Sequence, residues 1–255
     1  MPDTVHGLRH VEHVMGTVFS FDIRDHPTPA IHRALAAAVR RLHGVDAVFS
    51  TYRPDSHIRR LDRGELRLAD CPPEVRDVLS LCARATQLTD GWFDTFANGS
   101  LDPSGLVKGW ATETASRLLH EAGAYNTCIN GGGDIQVRGH AGPGRPWRIG
   151  IAHPLHPGEL ITVVTAARDL AIATSGTAER GAHILDPHRR VPATGLASVT
   201  VVGPGLTMTD VHATAAFARG EAAYAWLDAL DGYEALVIRP DGGTWRTRGF
   251  SRYGS

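Results

Sequence analysis

The stretch Leu101–Leu119, LDPSGLVKGWATETASRLL, constrains the fold more than any other part of the chain. An acidic residue, a Ser-Gly pair and a lysine arrive in quick succession. Ala111, Ala115, Leu118, Leu119 and Ala122 then recur at helical spacing, until Gly123 stands where a C-cap would end the run. The spacing predicts that Asp102, Ser104, Gly105 and Lys108 occupy the turn just before a helix N-terminus. Unpaired backbone N–H groups, the positive end of the helix dipole and a lysine would meet there, a setting suited to phosphate. An ordinary loop-to-helix junction with a solvated lysine reads the same way, so this stretch alone does not decide.

Around it the chain alternates between the two secondary-structure periods. Val14–Ile23 alternates as a strand, with Met15, Thr17, Phe19, Phe21 and Ile23 on one face. Ala30–Phe49 carries Ile31, Leu35, Ala38, Val39, Leu42, Val45 and Phe49 at helical spacing, and Pro73–Thr89 is a second helix ended by Asp90-Gly91. Ser50–Asp62 is polar and reads as a loop passing into a short helix. Beyond the organising stretch, strands are predicted at Asn126–Asn130, Ile135–Arg138, Trp147–Ala152, Leu160–Ala166, Leu170–Thr174 and Ser198–Gly203. Helices follow at Asp210–Arg219 and Glu221–Leu230, and Tyr233–Arg239 with Thr244–Arg248 closes the chain as a hairpin. This order lacks the strict βαβ alternation of a doubly wound fold and predicts a compact α+β domain.

Composition narrows the function classes. A formal net charge of −1 gives no reason to expect nucleic acid or an anionic membrane as partner. Cys71, Cys82 and Cys128 form no metal-like pair and read as reduced thiols of a cytoplasmic protein. MPDTVHGLRHVEH holds no apolar run suited to a secretion leader, and no stretch approaches transmembrane length, so membrane insertion is not expected.

Four groups of residues could carry chemistry. Gly131-Gly132-Gly133-Asp134 follows a strand, and three glycines suit a phosphate cradle and a tight hairpin turn equally well. Asp210 and Thr214 stand at i and i+4, so a helix puts a carboxylate and a hydroxyl on one face, hard-oxygen chemistry that suits Mg²⁺. The competing reading makes Asp210 a plain N-cap. His183 in AHILDP could accept a proton from an attacking hydroxyl, or be one more of the fourteen histidines with no chemical role. Thr174-Ser175-Gly176 offers either a turn or a wall of hydroxyls.

In this order the motifs are far more specific than any one alone. Met15-Gly16-Thr17, Ser50-Thr51-Tyr52-Arg53-Pro54-Asp55-Ser56, Phe93-Asp94, LDPSGLVKGWATE, NGGGDI, ATSG, HILDP and TDVHATA resemble the bacterial FAD:protein FMN transferases of the ApbE family, from residue 15 to about 220. The resemblance implies one compact, T-fold-like α+β domain over residues 1–255, with a mixed or antiparallel sheet and packed helices. It implies an enzyme that splits FAD with Mg²⁺, releases AMP and joins FMN by a phosphoester to a threonine of an acceptor protein. An FAD pyrophosphatase and a non-catalytic FAD-binding module are the alternatives.

Carried over by motif, Met15, Tyr52, Trp92, Phe93 and Asp94 correspond to flavin or adenine contacts, and Asp102, Lys108, Ile184 and Leu185 to further FAD contacts. Gly105 through its carbonyl, Asp210 and Thr214 correspond to the metal site, and His183 to the base. The chain departs from the family pattern at Asp62, where Asn is usual, and at Ala213, where some members carry a second metal-binding Asp. The segment between Asp94 and Asp102 is also short for the family. These departures bear on transfer to protein more than on FAD and Mg²⁺ binding.

Overall fold

The computed structural model describes residues 7–178 and 181–254. A long antiparallel sheet runs in the order β1 (Leu8–Val14), β2 (Thr17–Ile23), β3 (Thr127–Gly131), β4 (Asp134–Arg138), β7 (Leu170–Gly176), β10 (Ser198–Gly203), β11 (Glu234–Ile238) and β12 (Thr244–Arg246). A separate hairpin, β5 (Trp147–Ala152) with β6 (Leu160–Ala166), covers one face, and a small one, β8 (Leu185–Asp186) with β9 (Val191–Pro192), lies in the segment before β10. The α+β class expected from the sequence is the one found, with the sheet antiparallel throughout.

The helices lie on the other face. α1 (Pro29–Phe49) starts where Thr28 Oγ1 accepts the Ile31 N–H at 3.2 Å, with Pro29 at the first helical position. It buries Ile31, Leu35, Ala38, Leu42, Val45 and Phe49 against β1, β2 and α4 (Ser104–Glu121). α2 (His57–Asp62) and α3 (Pro73–Leu88) complete that side. α4 lies between α1 and α5 (Leu206–Arg219) and above β3 and β4. Its Gly109, Ala111, Ala115 and Ser116 are small enough for neighbours to close on several sides, so it shows little amphipathic contrast. α6 (Tyr224–Asp228) follows a 3₁₀ turn. Among the described residues no helix is long and apolar enough to cross a membrane.

Strand alternation divides the sheet cleanly. On β7, Ala171, Ala173 and Ser175 turn to α5, and Leu170, Ile172 and Thr174 turn to the opposite face, where the β5–β6 hairpin packs. On β11, Ala235 and Val237 face the helices while Leu236 and Ile238 join the hairpin core with Trp147, Ile149, Ile151 and Val164.

Several boundaries depart from the sequence reading. The strand expected over Val14–Ile23 is interrupted at Met15 and Gly16, whose φ values of 57° and 69° form the tight turn between β1 and β2. Both central residues of such a turn need positive φ, and a methionine there is strained. α4 begins at Ser104, so Ser104, Gly105 and Lys108 lie inside the helix and only Asp102 precedes it. α5 begins at Leu206, four residues before the expected start, and the helix predicted over Glu221–Leu230 is a 3₁₀ turn followed by the short α6. β7 continues through Ser175 to Gly176 instead of ending at Thr174.

Candidate active site

The site forms where α4 crosses α5. Gly109 makes the crossing possible, because a Cβ on it would sit 2.7 Å from the Leu206 carbonyl oxygen and 2.9 Å from Asp210 Cβ. With the backbones this close, the Gly109 N–H donates to Asp210 Oδ2 at 3.1 Å. In a regular α-helix that N–H serves the carbonyl of residue 105, so Asp210 competes for the donor of the Gly105 carbonyl. Asp210 is 4% exposed and lies one turn inside α5, which removes its reading as an N-cap.

The true caps of α5 come from elsewhere in the chain. Glu113 of α4 accepts from the Thr207 N–H at 2.8 Å and from its hydroxyl at 2.6 Å, and Gln136 Oε1 accepts the Leu206 N–H at 3.1 Å. A carboxylate beside the first turn of a helix also complements its dipole. Sequence reading missed both residues, because their partners lie 94 and 70 positions away.

One turn beyond Asp210, Thr214 shares its helical face and reaches Ser175 Oγ on β7 at 3.4 Å. Gly105 stands opposite: a Cβ there would lie 3.7 Å from Thr214 Oγ1 and 3.2 Å from the Phe93 ring. The missing side chain therefore leaves a small cradle bounded by a hydroxyl and an aromatic edge. Phe93 is buried, with its N–H held by Thr89 Oγ1 at 3.0 Å. The donors Asp210, Thr214 and the Gly105 carbonyl are all oxygens. Among the described residues no group of three or more His, Cys, Asp or Glu side chains could hold a metal. One carboxylate with neutral oxygens fits Mg²⁺, which keeps positions for water and phosphate, better than it fits Zn²⁺.

Lys108, one turn along α4 from Ser104, pairs with Asp134 Oδ2 at 2.5 Å, and Asp134 Oδ1 accepts the Thr174 N–H at 3.0 Å. Gly132 and Gly133, at φ 61° and 94°, form the β3–β4 turn itself, and a side chain on Gly132 would strike Thr17. Of the two readings of NGGGD, the hairpin turn is the one found, and its aspartate is the residue that reaches Lys108. Thr174 and Thr200 bond each other at 2.9 Å on the hairpin face, while Ser175 faces Thr214. The stretch thus divides its hydroxyls between the two faces.

The remaining candidates lie around this cluster. Asp102 Oδ1 accepts the Ser104 N–H at 2.9 Å and so starts α4. Asp94 bonds the Phe96 N–H at 2.9 Å, and Asp62 accepts the Leu101 N–H at 2.7 Å, which ties down the short loop between them. Trp92 meets the His188 ring edge-on at 4.5 Å and lies under the Arg219 guanidinium. It lines a cleft of about 200 Å³ with Asp186, Arg189, Ala218 and Arg219. Ala218 follows Asp210 and Thr214 at the same i+4 interval, so the cleft continues their face of α5. Ile184 packs beside α5's apolar core and Leu185 begins β8. Met15 is partly buried against the core, and Tyr52 is 95% exposed. His183 lies on an exposed loop, its Nδ1 3.0 Å from the Gly181 carbonyl oxygen, and makes no hydrogen bond to the α4–α5 cluster among the described residues. His212, beside Asp210, is packed between Trp226 and Tyr233; burial pulls its pKa down to about 4, so it stays neutral.

The sequence matches the family model described as the ApbE family over residues 15–99 and 95–237. It is 33% identical over 198 residues to the FAD:protein FMN transferase of Rhodobacter capsulatus, covering 70% of this chain and 38% of that protein. With the FAD:protein FMN transferase of Treponema pallidum it shares 32% identity over 163 residues, covering 57% of this chain and 45% of the relative. The chain thus matches less than half the length of these relatives. In fold it is similar to the flavin transferase ApbE from Vibrio cholerae, at a TM-score of 0.81, 21% identity, and 97% and 99% coverage of the two chains. The ApbE protein from Thermotoga maritima gives a TM-score of 0.84 at 20% identity, with 98% and 100% covered.

Proposed function

The chain belongs to the ApbE family, and from that premise we propose that it is a Mg²⁺-dependent FAD:protein FMN transferase acting on a threonine of an acceptor protein. We take residues 1–255 as one domain, and the three free cysteines support a reducing, cytoplasmic setting. The observation that carries the reading is the convergence of Gly105 and Lys108 on α4 with Asp210 and Thr214 on α5. A lysine, a buried carboxylate and a hydroxyl at one helix crossing suit a bound diphosphate.

In the reaction, the P–O bond between the FMN phosphorus and the bridging oxygen breaks, AMP leaves, and a bond forms between that phosphorus and the threonine oxygen. Lys108 supplies positive charge to the phosphate oxygens and Phe93 closes the cradle beside Gly105. Asp210, Thr214 and the Gly105 carbonyl would hold Mg²⁺, which when bound neutralises the diphosphate and stabilises AMP as leaving group. Asp210 is oriented for this by the Gly109 N–H. His183 takes the proton of the incoming hydroxyl. Trp92 and the cleft along α5 receive one of the ring systems of FAD.

The exposure of His183 favours a second reading, in which water takes the place of threonine and the protein is an FAD pyrophosphatase. Purified protein incubated with FAD, Mg²⁺ and a threonine-bearing acceptor separates them. AMP release with an acceptor gaining the mass of FMN supports the transferase. AMP with free FMN alone supports the pyrophosphatase, and FAD bound but never cleaved makes the chain a flavin-binding module.

A further inference from the structure

Asp134 is the most deeply buried carboxylate at the site, at 1% exposure, and nothing in the transfer chemistry above uses it. Its surroundings are specific. Oδ2 holds the Lys108 ammonium at 2.5 Å, and Oδ1 holds the Thr174 N–H at 3.0 Å. It stands at the first residue of β4, immediately after the two positive-φ glycines, so the hairpin turn fixes where its backbone lies. The next residue of β7 is Ser175, which faces Thr214. One carboxylate thus ties the lysine of α4 to the strand end whose hydroxyl meets α5.

A buried carboxylate is costly unless paired, and this one has an ion pair and a backbone donor. The pairing also acts on the lysine. A lysine side chain has four rotatable bonds and, left alone, would extend its ammonium into water. Lys108 is instead 21% exposed. We infer that Asp134 is a positioning residue: it holds the Lys108 ammonium at the α4–α5 crossing so that the ammonium meets the FAD diphosphate already in place. This rests on the FAD reading above. The alternative has the opposite sign, for a carboxylate that merely neutralised Lys108 would compete with the phosphates, and its removal would tighten binding.

The test measures affinity for FAD and for riboflavin, which lacks the diphosphate, by flavin fluorescence on the intact chain. Four forms are compared: wild type, Lys108→Met, Asp134→Asn, and the two substitutions together. Asp134→Asn keeps an acceptor for the Thr174 N–H and removes the charge. It is expected to weaken FAD about tenfold or more, the usual scale for a hydrogen bond to a charged group, with riboflavin affinity unchanged. On the Lys108→Met background the same substitution should cost nothing further, because it acts through the lysine. If Asp134→Asn alone does not fold, the double variant leaves no unpaired buried charge, and its FAD affinity should equal that of Lys108→Met. Unchanged or tighter FAD binding, equal losses for both ligands, or a further loss on the Lys108→Met background would overturn the inference while leaving the FAD reading intact. A wild type that binds riboflavin as well as FAD would overturn that reading, and the inference with it.

Discussion

On β4, Asp134 and Gln136 turn toward the helices, while Ile135 and Val137 turn toward the β5–β6 hairpin. The same division runs across β7, where Ser175 meets Thr214 on one side and Ile172 meets the apolar core on the other. The helix side therefore buries Asp134, Asp210 and Gln136, each engaged by a backbone N–H or an ion pair, and Glu113 caps α5 there. The hairpin side buries Trp147, Ile149, Ile151 and Val164 and keeps as its polar pair Thr174 and Thr200, which satisfy each other. Apolar burial contributes stability in proportion to area, whereas buried charges contribute little net stability and are costly when unpaired. One strand period thus supplies both needs: the odd-numbered side of β7 serves the candidate chemistry and the even-numbered side holds the sheet down.

The largest expected effect breaks the helix side alone. Asp210→Ala should lower Mg²⁺-dependent AMP release from FAD by on the order of a thousandfold, the scale of losing a carboxylate ligand in phosphoryl transfer. A folded variant that cleaves FAD at the normal rate would make Asp210 a structural residue. The matching cut on the other face is Ile149→Ala, which should cost about 2–4 kcal/mol in denaturant unfolding as a core truncation. At a temperature where it stays folded, its FAD affinity should be that of wild type; a parallel loss of affinity would mean the two faces are not separable.

His183→Ala sharpens the division between binding and transfer. Because His183 is exposed and outside the α4–α5 hydrogen bonds, its loss should leave melting temperature and FAD affinity in place while single-turnover transfer falls roughly a hundredfold or more. Unchanged transfer would remove it as the base. The smallest effect concerns packing. Burial pushes the thiols of Cys82, in the helix-side core, and Cys128, against the hairpin-side core, up to about 12. Neither should react appreciably with a thiol reagent at pH 8, since only a small fraction is thiolate. Rapid labelling of one alone would show that its face opens more readily than the other.

Much of this was legible in the sequence, for local reasons. The hairpin strands Trp147–Ala152 and Leu160–Ala166 follow from alternation alone, and α1 and α3 from apolar spacing with prolines at their starts. The pairing of Asp210 with Thr214 needed only the helical period. What escaped depended on distant partners. The first turn of α5, Leu206–Thr209, has no side-chain cap of its own and is held by Glu113 and Gln136. The Lys108–Asp134 pair joins two motifs that read separately as a phosphate loop and a glycine turn. The turn at Met15 was hidden because a methionine at φ 57° carries no local signal except the glycine after it. Sequence period shows which face a residue takes, and only the packed helices show what it meets there.

The proposed function puts FAD and Mg²⁺ on the helix side of the sheet. Hydrogen exchange followed by mass spectrometry, with and without FAD and Mg²⁺, tests it most directly. Slowed exchange is expected in the first turns of α4, the start of β4, the end of β7 and along α5, with the peptides of β5 and β6 unchanged. Protection centred on the β5–β6 hairpin, or none on α4 and α5 at saturating FAD, would contradict it.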